Sequence, residues 1–361
     1  MIYVVMGTKA QFIKMAPVIK RLEEENVEYI LVDLGQHLKI SSRLRKELGI
    51  KAPDVVLGKE DINQISKGMR WMIEVFIKGL SKKWISKNIF NAGNGVCLIH
   101  GDTASTLVAL YLAKRQGLKV AHVEAGLRSW HLWEPFPEEI IRVFVMHLSD
   151  ILFAPSRWAY DNLVTMGLGE KAILLPANTS LESTLWSLKK KVEWGGIPDN
   201  YALITAHRME NIFSKKRLQF IVNVIKKVTS ILPAVFIHHN PTLVQLQKHR
   251  FLSQIEALPN IYIQGLTSHA HFIHLIARSE FVVTDGGSIQ EECYYLNKPC
   301  LLLRNYTERI EGIGENVVLC KFSEKLLDEF IENYSFYKRR KEFVQCSPSG
   351  KIVEHLKIHI R

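Results

Sequence analysis

VCLIHGDTASTLVALYLAKRQGLKVAHVEAGLR runs from Val96 to Arg128 and sets the reading of the whole chain. An unbroken apolar run, Val96 to Ile99, meets a polar turn; Thr103 to Arg115 then has the length of a helix; Lys119 to Val123 is apolar again. Apolar runs this short suit strands buried on both faces, and a helix-length connection between them makes the strands parallel. A carboxylate stands just beyond each strand, Asp102 after the first and Glu124 after the second. In an open parallel sheet, that edge is where ligands bind.

The same alternation extends in both directions. Strands are expected at Ile2 to Met6, Tyr29 to Asp33 and Ile151 to Ala154, with helices at Ala16 to Glu25, Gln64 to Phe90 and Glu138 to Leu148. In the second half, strands fit Tyr201 to Thr205, Ala234 to His238, Ile261 to Ile263, Phe281 to Thr284 and Pro299 to Leu303. The fold class is therefore α/β: two doubly wound, Rossmann-like domains of similar size facing across a cleft. The polar stretch from Asn178 to Asn200, ending in the turn-rich WGGIPDN, marks the boundary. Residues 1–178 are the N-terminal domain with the carboxylates, and residues 179–345 are the C-terminal domain. Residues 346–361, opened by Ser347-Pro348-Ser349, are a final helix through His359 that packs back on the body and could cap either domain.

A length of 361 residues exceeds one ordinary core, and 47% apolar with 23% charged residues is globular composition, which excludes a disordered chain. The net charge of +11 favours anionic partners. Lys78, Lys82, Lys83 and Lys87 fall at helical spacing, and Lys189 to Lys191 and Lys338 to Lys341 form short runs. Each reads first as a solvated helix face or linker, and second as an attraction to an anionic membrane surface or polymer. Cys97, Cys293, Cys300, Cys320 and Cys346 are odd in number and lack metal spacing, which points to reduced thiols and the cytoplasm. Met1 to Met6 run straight into Gly7 without a basic flank and read as a first strand, not a signal peptide. No apolar run reaches membrane-spanning length.

Four polar motifs carry the chemistry. In HGDT (His100 to Thr103), Thr103 can cap the following helix, whose first amides face an anion; service as a helix cap is also the structural alternative for Asp102. A buried Glu124 needs a partner, for which Arg128 is the nearest candidate in sequence, and a purely structural Glu–Arg pair stays open. PFPEE (Pro135 to Glu139) places Glu138 and Glu139 in the first turn of a helix, where acids suit the dipole. Asp102, Glu124 and Glu138 thus bring three carboxylates to neighbouring strand ends, crowding that raises at least one pKa and can separate an acid from a base. In TAHRMEN (Thr205 to Asn211), His207 and Arg208 top a strand of the other sheet and read as functional, whereas His238 and His239 read as structural or as a ligand edge. Asp285-Gly286-Gly287-Ser288 opens a helix whose amides suit a phosphate, Glu291 and Glu292 follow for ribose hydroxyls, and Arg309 offers a second phosphate ligand. The Gly7-Thr8-Lys9 turn is a weaker phosphate signal, matching neither GxGxxG nor GxxxxGK[ST].

With these words in this order, GTKAQFIKMAPVI, GQH, HGDT, HVEAGLR, PFPEE, HRMEN, HHNP, DGGSIQEE, KPCLLLR and TERIE, the chain resembles the non-hydrolysing UDP-N-acetylglucosamine 2-epimerases over nearly its whole length. That family's architecture is similar to the GT-B glycosyltransferases. The resemblance implies that Asp102, Glu124, Glu138 and His207 serve proton transfer. It implies that Arg309, Glu292 and the turn Gly286, Gly287, Ser288 hold UDP, with Lys14 near the phosphates and Phe272 near the uracil. Lys9, Arg142, Arg208 and His238 complete the expected substrate-binding set. Neither metal nor other cofactor is implied; the expected partners are a UDP-sugar and a second copy of the chain, not nucleic acid.

Some positions depart from the family pattern. The usual GTRPE is GTKAQ, so an arginine becomes Lys9 and an acid becomes Gln11, and lysine cannot reproduce a bidentate phosphate fork. DSGG is rearranged to DGGS, which moves the hydroxyl from position 286 to Ser288; Ile141 replaces an asparagine; and the surroundings of GQH, with Lys39, weaken a link to allosteric UDP-sugar binding. A hydrolysing 2-epimerase is the nearest alternative, and a GT-B glycosyltransferase or a silent nucleotide-sugar sensor are alternatives of another class.

Overall fold

The computed structural model describes residues 1–35, 38–58, 65–91, 93–131, 133, 135–339 and 346–359. The strands are β1 (Ile2–Met6), β2 (Tyr29–Asp33), β3 (Val55–Val56), β4 (Val96–His100), β5 (Lys119–Val123), β6 (Ile151–Ala154), β7 (Ala172–Leu174), β8 (Ala202–Ala206), β9 (Ala234–His238), β10 (Ile261–Gln264), β11 (Phe281–Thr284), β12 (Cys300–Leu302) and β13 (Val317–Leu319). The helices of the first half are α1 (Lys9–Glu24), α2 (Leu38–Leu48), α3 (Ile65–Lys78), α4 (Lys82–Asn88), α5 (Ala104–Gln116), α6 (Glu138–Leu148), α7 (Arg157–Thr165) and α8 (Ser180–Leu188). Those of the second half are α9 (Met209–Ile212), α10 (Lys215–Thr229), α11 (Asn240–Lys248), α12 (Leu252–Glu256), α13 (His269–Arg278), α14 (Gly287–Tyr295), α15 (Glu324–Asn333) and α16 (Pro348–Ile358).

Two wholly parallel sheets form, in the orders β3-β2-β1-β4-β5-β6-β7 and β10-β9-β8-β11-β12-β13. The chain divides into two compact units, Met1–Ser183 with Gln345–Arg361, and Thr184–Val344. In each sheet the strand order reverses once, between β1 and β4 in the first and between β8 and β11 in the second. Those two switch points are where helices on opposite faces part and a ligand can reach the strand ends. Around the first sheet, Tyr3 meets Phe90 edge-on at 4.9 Å; around the second, Phe281 meets Phe330 at 5.6 Å. Each large apolar side chain so buried contributes on the order of 1.5–3 kcal/mol.

Departures from the sequence expectation have local causes. Helix α1 begins at Lys9, not Ala16, because Thr8 and Gln11 form a reciprocal capping box. Pro17 then lies inside the helix and cannot donate to the Ile13 carbonyl; Ser183 Oγ donates to that carbonyl instead, at 2.6 Å. The single helix expected over Gln64 to Phe90 is two, α3 and α4. A Cβ on Gly79 would lie 2.6 Å from Tyr111 Cε1 on α5, and Ser81 Oγ accepts from Trp84 N at 3.2 Å to start α4. The polar stretch after Asn178 is helical through Leu188, because the buried positions of α8 are Ser180, Ser183, Thr184 and Ser187 with Leu181 alone among them apolar, which leaves little apolar periodicity. The last helix, α16, belongs to the first unit, beside α1. Ser347 caps it at Gly350 N, 3.1 Å, and Glu182 accepts from Ser349 N at 3.0 Å and Ser349 Oγ at 2.7 Å. Strands β3, β7 and β13, absent from the expected set, are two or three residues long.

All five cysteines are free, four of them buried. Among the described residues no helix is long and apolar enough to cross a membrane. Gln36 and His37 of GQH, the Lys39 side chain, Gln64, Arg340 and Lys341 lie outside what the structure describes.

Candidate active site

In the first unit the turns after β1, β4 and β5 meet at the switch point. Asp102 Oδ2, in the turn after β4, accepts from Arg142 on α6, whose other nitrogen donates to Glu139 Oε2 at 2.5 Å. Glu139 is fully buried, and its second oxygen accepts from Arg128 Nε at 2.6 Å. Glu138, expected beside the other two carboxylates, is the half-buried first residue of α6. Glu124 follows β5 in left-handed backbone, φ +70°, a sparsely populated region for a side-chain-bearing residue. It is paired with Lys14 of α1, accepts from Asn178 Nδ2 at 2.6 Å, and stands 3.6 Å from His100 Nε2. Burial pushes both His100 and His122 down to about 4, against the pull of Glu124 and Asp102, so both imidazoles are neutral near pH 7. His122 Nε2 donates to the Gly101 carbonyl at 2.8 Å, fixing the turn that carries Asp102.

Some first-unit expectations change. Arg128 is not the partner of Glu124: Lys14, 110 positions away in sequence, takes that place, and Arg128 turns to Glu139. Lys14, expected near phosphates, is buried with the carboxylates. Thr103 makes no side-chain cap to α5; its hydroxyl lies 2.6 Å from Ser105 Oγ and 3.2 Å from Thr106 Oγ1. Gln11 links the turns on the two sides of the switch point. Its amide nitrogen donates to the His100 carbonyl at 2.9 Å, and its oxygen accepts from Gly7 N at 2.7 Å and Ser105 Oγ at 3.0 Å. A carboxylate cannot donate to that carbonyl, so the glutamine suits this chain's own turn geometry. Lys9 is half-buried at the start of α1.

In the second unit Asp285, just past β11, is the anchor. Its carboxylate accepts from His207 N at 3.0 and 3.1 Å, Arg208 N at 3.0 Å and Asn211 Nδ2 at 3.0 Å, tying the turn after β8 across the switch point. His207 Nδ1 is 3.3 Å from the same carboxylate, and its ring stacks on His239 at 4.6 Å. Arg208 Nε pairs with Glu210 at 3.2 Å, and His238 is half-buried at the end of β9. The N-terminus of α14 carries no side-chain cap, so its first amides are available to an anion. Glycine leaves room for neighbouring side chains at both positions before Ser288. A Cβ on Gly286 would lie 2.9 Å from His207 Cε1, and one on Gly287 would lie 2.8 Å from Glu308 Oε1. A side chain at position 286 would press on the His207 ring. Arg309, in the loop between β12 and β13, pairs with Glu291 at 2.8 Å, and Arg304 pairs with Glu308 at 2.7 Å. Glu291 and Glu292 lie in the second turn of α14, and Phe272 packs against the apolar cluster of that unit.

Residues to which motif reading gave no role in the site therefore include Gln11, His100, Asn178, Asn211, Arg304 and Glu308. Burial is the signal that could have flagged them: Gln11, His100, Asn178 and Asn211 act through partners distant in sequence, and Arg304 and Glu308 pair with one another inside the unit.

Comparison with known proteins gives a consistent picture. Residues 20–357 match the family model described as UDP-N-acetylglucosamine 2-epimerase. The UDP-N-acetylglucosamine 2-epimerase of Methanocaldococcus jannaschii is 31% identical over 339 residues, covering 90% of this chain and 89% of that one. The UDP-2,3-diacetamido-2,3-dideoxy-D-glucuronate 2-epimerase of Pseudomonas aeruginosa is 31% identical over 88% of each chain. The crystal structure of the Methanocaldococcus jannaschii UDP-GlcNAc 2-epimerase in complex with UDP-GlcNAc and UDP superposes with a TM-score of 0.86 at 28% identity, covering 99% of both chains.

Proposed function

This chain belongs to the UDP-N-acetylglucosamine 2-epimerase family, and from that premise we propose that it inverts C2 of a UDP-linked N-acetylhexosamine, UDP-GlcNAc to UDP-ManNAc, by the non-hydrolysing route, for surface polysaccharide precursors. The observation that carries this reading is the pair of ion-paired carboxylates, Asp102 on Arg142 and Glu124 on Lys14, at the switch point of the first sheet. The C2 proton of the sugar is not acidic, so departure of UDP leads: the C1–O bond breaks with its electrons going to the diphosphate, and positive charge grows on the ring. The C2–H electrons form the C1–C2 double bond while the proton passes to a carboxylate. Protonation of C2 on the other face and return of the diphosphate oxygen to C1 give the epimer. Asp102, Glu124, Glu138 and His207 are the proton-transfer set in this reading. The second unit's α14 amides with Arg309 and Arg208 suit the departing diphosphate. Returning UDP to C1 requires that it stay bound while the double bond exists.

Proton NMR of the purified chain with UDP-GlcNAc in D2O tests this. UDP-ManNAc with deuterium at C2 is the expected product. Free ManNAc with UDP would replace the non-hydrolysing route by the hydrolysing one, and an unchanged spectrum would remove this substrate.

The same reading includes a homodimer, supported by an exposed apolar face on the first unit. Met69, Ile73 and Ile77 of α3 and Ile140, Phe144 and Leu148 of α6 are all exposed at helical spacing, on helices that both pack on α5. Arg70 and Glu74 put both signs of charge beside the stripe, which lets the patch meet its own copy about a two-fold axis. Light scattering is expected to give twice the 41.4 kDa chain mass, and Ile73→Glu to halve it; a wild-type monomer would remove the dimer. The unpaired thiols fit a reducing, cytoplasmic setting.

A further inference from the structure

Helix α14 presents two adjacent acids that do different jobs. Glu291 is fully buried and its Oε1 is taken by Arg309 at 2.8 Å. Glu292, about 100° further round the helix, is 6% exposed, and its nearest charge-capable neighbour is His269 Nε2, 3.4 Å from Oε1. Behind it, His269 Nδ1 lies 2.9 Å from Ser187 Oγ. Ser187, His269 and Glu292 are each more than nine-tenths buried, and they come from α8, α13 and α14.

We propose that His269, with Ser187 behind it, is a positioning residue that holds the Glu292 carboxylate to accept the two adjacent ribose hydroxyls of a uridine nucleotide. This rests on the reading of the second unit as the UDP-binding one. The donor and acceptor chemistry of the chain of three orders it from Glu292 outwards. An ionised carboxylate only accepts, so the imidazole carries a proton on Nε2 towards Glu292. With that one proton on the ring, Nδ1 is an acceptor and the Ser187 hydroxyl, 2.9 Å away, donates to it. The serine thereby selects the tautomer, as the group on one ring nitrogen sets what the other can do. Each carboxylate oxygen has two lone pairs, so one bond from His269 fixes the orientation of Glu292 while both oxygens can still accept a hydroxyl. A 1,2-diol matches such a carboxylate with two parallel O–H bonds. Glu291 cannot serve in its place, because it is enclosed and neutralised. A carboxylate held from behind before the ligand arrives loses little rotamer freedom on binding.

The experiment is calorimetric titration of UDP and of 2′,3′-dideoxy-UDP into the wild type and into His269→Phe, Ser187→Ala and His269→Gln. Wild type is expected to favour UDP by about tenfold or more, one good hydrogen bond to a charged group being worth that much. In His269→Phe the affinity for UDP is expected to fall about tenfold while the dideoxy ligand binds as before, so the preference collapses. Ser187→Ala is expected to lose part of the preference, and His269→Gln, whose amide can still donate to Glu292, to regain part of it. Unchanged binding of the dideoxy ligand also shows that each variant is folded. A His269→Phe variant that keeps the full preference, or that loses both ligands equally, overturns the positioning role. A wild type that binds neither ligand overturns the reading of the unit as a UDP site, and this inference with it.

Discussion

Replacing Asp285 by alanine is expected to destabilise the second unit by about 3–5 kcal/mol and to abolish UDP binding with it. The carboxylate is fully buried and serves three separate groups: the amides of His207 and Arg208 and the side-chain amide of Asn211. Truncation leaves both backbone donors facing a void and Asn211 with only its bond to the Leu303 carbonyl, at 3.1 Å, and a buried donor left without its partner costs about 1–3 kcal/mol. The consequence extends to the chemistry, since the His207 ring is placed by its own amide bond and by the 3.3 Å approach of Nδ1 to the same carboxylate. Asp285→Asn retains one acceptor oxygen but turns an NH2 towards the N–H donors, so it should fall between alanine and wild type. Chemical denaturation of the three proteins with parallel UDP titration measures both effects. An alanine variant as stable as wild type would mean that these bonds form equally well to water and that Asp285 is not the anchor of the turn.

How much of this was legible beforehand depends on how local the determining interaction is. β1, β2, β5, β6, β9 and β11 begin and end where the apolar runs do, because a strand covered on both faces is an unbroken apolar string bounded by polar turns. β3, β7 and β13 escaped because a two- or three-residue strand carries no pattern. The start of α1 was hidden by Pro17, which reads as a first-turn residue; its place inside the helix depends on a hydroxyl at Ser183, 170 positions away. The site shows the same division. That Asp102 and Glu124 stand at strand ends is a local fact and was readable. Which cation each one faces is a tertiary fact. Sequence proximity suggested Arg128 for Glu124, and the structure supplies Lys14. Asp285 was readable as the opening of a helix, but its four hydrogen bonds to residues 207–211 were not, because they exist only once β8 and β11 are neighbours.

Asp102→Asn and His207→Ala are each expected to lower epimerisation by about 10²–10⁴-fold, the usual contribution of a positioned proton-transfer group, while UDP binds nearly as before. Structural collapse is a poor explanation for such a loss at either site. Asparagine keeps the shape of Asp102, and Arg142, though deprived of one anion, remains fixed by Glu139 at 2.5 Å. His207 is partly exposed, and the bonds that fix its turn are made by backbone amides, which alanine retains. What each substitution removes is the ability to hold or release a proton. Rates of C2 deuterium exchange and of UDP-ManNAc formation, set beside UDP dissociation constants, separate this from a binding defect. Loss of exchange with retained UDP affinity is the expected pattern; full activity in both variants would strike these residues from the proton-transfer set. A variant that still released UDP from the sugar but no longer exchanged the C2 proton would be the most telling case. It would show that C1–O cleavage runs ahead of proton removal, as a non-acidic C2–H requires.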